Sequence, residues 1–225
     1  MKTIMNASVV SLALTLALAG PAPAQTARKG AQTALCVGGP LAMNVAGVRL
    51  GMPLAGAEAA LEGVYRCDHS MRERSFRQLV DSEVKKRQEI SEGFGPDGAA
   101  VAELNCNGPS GEYLRLFMAQ TMAGEVVDRI DLTVRTDRVD QAALVRQVEG
   151  KYGRPTTGTA ADGSWCSRRC GYDLTMETGP RIATMSGGKY FKILGSRGLL
   201  ARQADDAAVR AAADRIAPAA TRGAF

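Results

Sequence analysis

The chain has one histidine and one tryptophan among 225 residues, and aromatic side chains make up only 5% of it. A lone histidine excludes metal sites built from clustered imidazoles, and it leaves any triad or dyad chemistry dependent on His69 as the base. No Gly-x-Ser-x-Gly elbow is present to hold a serine nucleophile, and no Cys-x-x-Cys pair is present for thioredoxin-like exchange. Charge of neither sign dominates, with 28 Lys and Arg against 23 Asp and Glu. So mild and dispersed an excess is not the clustered footprint of a nucleic-acid binder. Beyond the first two dozen residues no apolar run approaches the length of a bilayer span, so no transmembrane segment is expected in the mature chain. With neither metal ligands nor a cofactor fingerprint in view, no cofactor is expected.

The amino terminus is the most informative segment present. Lys2 supplies a positive region, Val9 to Leu18 an apolar one, and Ala22-Pro23-Ala24 a small-x-small exit. This pattern predicts a signal peptide over residues 1–24, cleaved near Ala24, and a protein delivered to the periplasm or secreted. Residues 25–42 are small, polar and glycine-containing, and read as a flexible leader.

All five cysteines, Cys36, Cys67, Cys106, Cys166 and Cys170, follow that exit. In an oxidising compartment the expectation is two bridges and one leftover thiol, with Cys67 paired to Cys106, Cys166 paired to Cys170, and Cys36 left over.

Short helices are expected where apolar residues recur at three and four positions: Leu54, Ala57 and Leu61; Phe76, Leu79, Val80 and Val84 within Met71 to Ile90; and Leu144, Val145 and Val148 after Asp140 as N-cap. An Ala-rich helix from Leu199 to Ile216 closes the chain. The second helix carries a basic exterior that reads either as a solvated face or as a docking surface for an acidic partner. Two-residue alternation predicts strands at Val101–Cys106, Tyr113–Ala119 and Val126–Val134. Shorter ones are expected at Val45–Leu50, Val64–Cys67, Ser164–Cys166, Tyr172–Met176, Arg181–Met185 and Tyr190–Leu194.

Leu61-Glu62-Gly63-Val64-Tyr65 and Val148-Glu149-Gly150-Lys151-Tyr152 share an apolar-Glu-Gly-x-Tyr pattern near the ends of two such helices. The expected fold is therefore α+β: two related strand-helix-strands units over residues 43–136 and 137–197, helices on antiparallel sheet, disulfide-stapled, followed by a carboxyl helix and tail over 198–225. Gly51-Met52-Pro53 opening a helix, and Lys151-Tyr152-Gly153-Arg154-Pro155 followed by Trp165, resemble short patterns of small envelope domains of the SmpA/OmlA type. Those domains share their architecture with the tandem-repeat β-lactamase-inhibitor proteins. The resemblance implies a protein-binding or envelope-assembly role and brings no catalytic residues with it.

Candidate binding residues are the exposed sheet face, including Arg129 and Arg135, and the loop carrying Trp165, Arg168 and Arg169. Phe117 and Tyr152 are expected in the core. Two catalytic alternatives stand beside the binding module: a thiol-disulfide protein using Cys166 and Cys170, and a hydrolase using His69 and Asp68. Gly93-Phe94-Gly95-Pro96-Asp97-Gly98 matches a dinucleotide fingerprint only formally. It follows a charged helix instead of a strand, and is read as a loop.

Overall fold

Between Tyr113 and Thr121 part-exposed and buried positions alternate without a break, the rhythm of a strand with one face in a core. The computed structural model describes residues 43–91, 98–167 and 179–218. These form a small hairpin, β1 (Asn44–Val45) and β2 (Val48–Arg49), then α1 (Leu54–Leu61), β3 (Arg66–Glu73), α2 (Phe76–Arg87), β4 (Ala100–Asn107), β5 (Tyr113–Thr121) and β6 (Gly124–Arg135). There follow α3 (Gln141–Tyr152), β7 (Thr157–Thr159), β8 (Asp162–Cys166), β9 (Arg181–Gly187), β10 (Tyr190–Ser196) and α4 (Leu199–Ile216).

The fold is α+β, helices packed on one large antiparallel sheet of order β3-β4-β5-β6-β10-β9-β8-β7. Each half contributes four strands in chain order, and the last strands of the two halves meet: β6 pairs with β10 from Arg135↔Tyr190 to Arg129↔Ser196. The core lies on the face covered by α1, α3 and the hairpin. Met43, Leu61, Leu104, Leu114, Leu116, Ile130, Ile182 and Phe191 are fully buried there. Gly195 of β10 is glycine because Met43 crosses it; a Cβ at that position would stand 1.8 Å from the Met43 sulfur.

The helix limits follow local chemistry. The N-cap of α2 is Ser75, whose hydroxyl accepts from the Gln78 backbone while the Gln78 side chain accepts from the Ser75 backbone, a reciprocal capping box. The expected helix start at Met71 is therefore corrected: Met71 to Glu73 belong to β3, and the exposed, charged Arg72 and Glu73 suit an edge strand. At the end of α3, Gly153 takes φ 74°, a left-handed backbone that glycine alone adopts freely. Gly150 lies inside that helix whereas Gly63, also at φ 74°, lies beyond α1, so the two Glu-Gly motifs are not structurally equivalent. Val45 to Leu50, expected as one strand, turns back on itself through Ala46 and Gly47. The strand expected at Tyr172–Met176 lies outside the described residues.

A bulge in β6 fixes the position of α4. Phe117 pairs with Arg129 and Met118 with Val127, which leaves Asp128 as the extra residue. Asp128 is buried and accepts from Arg197 Nε at 3.0 Å, and its carbonyl accepts from the Arg197 backbone at 3.0 Å. Arg197 also reaches Asp205, one face into α4. Helix α4 lies against β5, and α2 against α4. No helix among the described residues is long and apolar enough to cross a membrane.

The Cys67–Cys106 bridge is present and links directly opposed residues of β3 and β4. Cys166 is also disulfide-bonded; Cys170, its expected partner, lies outside the described residues, as does Cys36.

Candidate functional site

Because strand side chains alternate, the register that buries Leu114, Leu116 and Ile130 turns Tyr113, Arg115 and Phe117 of β5 to the opposite face. Beside them stand Arg129, Asp131, Thr133 and Arg135 of β6, and Tyr190, Lys192 and Leu194 of β10. Tyr113, Thr133 and Lys192 make one row across three strands, and Arg115, Asp131 and Leu194 the next. Between these rows a cleft of about 270 Å³ opens to solvent, lined by Tyr113, Arg115, Asp131, Thr133, Tyr190 and Lys192 with Leu194.

The polar groups are partly tied down. The Tyr113 hydroxyl donates to Asn105 Oδ1 at 2.6 Å. Arg115 directs Nε to the same oxygen at 3.3 Å and to Glu103 Oε1 at 3.1 Å. Arg129 lies over the Phe117 ring, its guanidinium carbon 3.6 Å from the centroid, a geometry in which ring quadrupole and cation attract. Its Nε stands 3.2 Å from Asp131 Oδ1, but without the alignment of a hydrogen bond. Burial pushes the Asp131 carboxyl above the usual carboxylate range, against the opposing pull of Arg129, Arg115 and Lys192. Farther along the face Arg135 pairs with Asp137 at 2.5 Å, and Met185 and Tyr190 are 49% and 46% exposed, large apolar groups left in water.

Arg129 and Arg135, expected on an exposed sheet face, are on this one. Trp165 is not a surface residue. It is 3% exposed, packs edge-on against Tyr152 with ring centroids 6.1 Å apart, and donates its indole N–H to the Gly153 carbonyl at 3.1 Å. Its expected neighbours Arg168 and Arg169 lie outside the described residues. Tyr152 is in the core as expected, whereas Phe117 is on the open face under Arg129. Sequence reasoning missed the grouping of Tyr113, Arg115 and Asp131 with Tyr190 and Lys192. Each sat in a legible strand, but nothing local tells that β10 lies beside β6.

The histidine does not form the pair with Asp68 that the hydrolase alternative requires. Asp68 is opposite Asn105 and His69 opposite Leu104, so successive side chains leave β3 on opposite faces. His69 Nε2 instead meets Glu58 Oε1 of α1 at 2.7 Å, both side chains partly exposed to solvent. They border a shallow cleft with Tyr65, whose hydroxyl is pushed up to about 12 by burial and by Glu112. Among the described residues no group of three or more His, Cys, Asp or Glu comes together to hold a metal.

Comparison of the chain with protein families, with curated proteins and with solved structures finds no match.

Proposed function

We propose that this chain is exported to the periplasm with cleavage near Ala24, and that it acts there as a non-catalytic binding module that docks an envelope protein on the open sheet face. The observation carrying this reading is the composition of that face. Tyr113, Phe117, Tyr190, Arg115, Arg129 and Arg135 stand together on a rigid sheet, with Tyr190 and Met185 exposed. Tyrosine and arginine dominate binding hot spots because they bring large contact area and donors at modest entropic cost. The Cys67–Cys106 bridge and the lack of a membrane-crossing helix among the described residues are compatible with an extracytoplasmic location. The short SmpA/OmlA-like patterns point to the same class of role.

The test is site-specific cross-linking in the cell. A photo-activated side chain placed at Tyr190 is expected to capture one defined envelope protein, while the same probe at Met122, which is 71% exposed, captures none. That protein, once purified, is expected to lose about tenfold or more in affinity for a chain carrying Tyr113→Ala and Tyr190→Ala. Equal capture from both positions, or unchanged affinity, overturns the reading.

A further inference from the structure

We infer that the cleft between β5, β6 and β10 takes a carboxylate from an acidic segment of the partner protein, held between the Arg115 guanidinium and the Lys192 ammonium, with an aliphatic neighbour against Leu194 and Tyr190. This rests on the docking reading above and names the chemistry of the segment that docks.

The cleft retains donor capacity on two cations. Arg115 directs its Nε to Glu103 and Asn105, and its guanidinium lies beside the Tyr113 and Phe117 rings, with the Tyr113 side chain as a further partner; its two terminal nitrogens make no aligned hydrogen bond among the described residues. Lys192 Nζ makes neither hydrogen bond nor ion pair among them. Asp131, the carboxylate that lines the cleft, attracts both cations through space but makes no hydrogen bond or ion pair with either. Its near contact is Arg129, which is itself stacked on Phe117. Cations on rigid strands with free N–H groups facing a cleft hold an oxyanion in a fixed place, and a guanidinium does so in two-toothed fashion.

Size and surroundings select the source of that oxyanion. Arg115 and Lys192 stand in neighbouring rows on strands two spacings apart, about 10 Å across the sheet, so a single side chain entering between the rows is within reach of both cations. A cleft of about 270 Å³ admits a side chain or two and no folded element. The exposed Tyr190 and the part-buried Leu194 bound it with apolar surface, which a free small acid would leave uncovered and an acidic segment with an aliphatic neighbour would bury.

The test is an amide NMR titration of the isotopically labelled protein, recovered after export, with acetyl-Gly-Leu-Glu-Leu-Gly amide. Its glutamine counterpart and N-acetylglutamate serve as parallel probes. The expected result is saturable shifts at Arg115, Thr133, Lys192 and Leu194 with the glutamate peptide. Binding should be about tenfold weaker or more with the glutamine peptide, with N-acetylglutamate, and with the glutamate peptide on Lys192→Gln. Lys192 is an exposed strand residue, so this variant keeps its fold, which its spectrum away from the cleft verifies. Equal binding of the glutamine peptide overturns the carboxylate assignment. Equal binding of N-acetylglutamate makes the site one for a small acid and overturns the protein segment. Shifts centred on Lys85 and Lys86 of α2 overturn the location. If the peptides fail while the cross-linked protein still depends on Tyr113 and Tyr190, this inference falls and the docking face stands; if that dependence is lost too, both fall.

Discussion

Asp131 is held at a cost to the fold. Three cations draw on it, yet burial leaves its carboxyl above its ordinary range. A carboxyl whose folded-state pKa exceeds its unfolded value binds its proton more tightly in the native protein. Its contribution is therefore most favourable at pH below the unfolded value of about 3.9, and is lost as pH rises through the folded value. At neutral pH the ionised group is a burden. Asp131→Asn is accordingly expected to raise stability at neutral pH. The gain should vanish in acid, as read from denaturation midpoints across a pH series. The same change removes the carboxylate that lines the cleft and should tighten binding of the glutamate peptide. A variant less stable than the parent at neutral pH would show that Arg129 needs that charge more than the fold suffers from it. Gly195 makes the opposite kind of demand. Gly195→Ala forces Met43 out of its place over the sheet and should cost about 1–3 kcal/mol by overpacking, measured by chemical denaturation.

At the level of elements, the staple and the cap carry separable loads. The Cys67–Cys106 bridge closes a loop with a sequence separation of 39 residues and pins the edge strand β3 to β4. Replacing both cysteines by alanine should cost up to about 4 kcal/mol by loss of the loop constraint in the unfolded chain, with the earliest loss of amide protection along β3. Ser75→Ala removes one arm of the α2 capping box and should cost about 1 kcal/mol. The elements most legible in sequence were those with a regular apolar pattern: β5 by unbroken alternation, β6 by the alternation of its later half, α1 by the spacing of Leu54, Ala57 and Leu61, and α4 at its limits of Leu199–Ile216. Those missed lack a buried face to set a period. β3 is exposed at nearly every position, so its charged end at Met71 to Glu73 read as the start of the helix that follows. β7, the three exposed residues Thr157–Thr159, carried no apolar signal at all.

At the scale of the molecule, the candidate site was only half legible for the same reason. Alternation located Arg129 and Arg135 on a solvent face, but the site is an encounter between strands far apart in the chain. It exists because β10 returns to pair with β6, a fact set by global packing. Trp165 shows the converse: a lone tryptophan beside arginines read as a contact residue, and the fold used it as the cover of α3, its indole N–H closing on Gly153. The docking reading carries a whole-molecule expectation. Binding of the acidic probe should weaken steadily with added salt, since the cleft cations are exposed enough to be screened. A salt-independent affinity would point to the apolar rim alone.

The seam between β6 and β10 also dictates an order of assembly. The meander β3-β4-β5-β6 joins neighbours along the chain and can form as soon as residue 135 is available. Its last strand then has no neighbour until Tyr190–Ser196 arrives. During that interval a long, alternately apolar β6 is an open template for another chain. Closing it requires contacts that span more than fifty residues, the kind that slow folding. Refolding of this protein should therefore be limited by arrival of its second half. A truncation before β10 should yield aggregates in preference to a smaller folded piece, and any factor that prevents aggregation of this chain should act on β6 before β10 has docked.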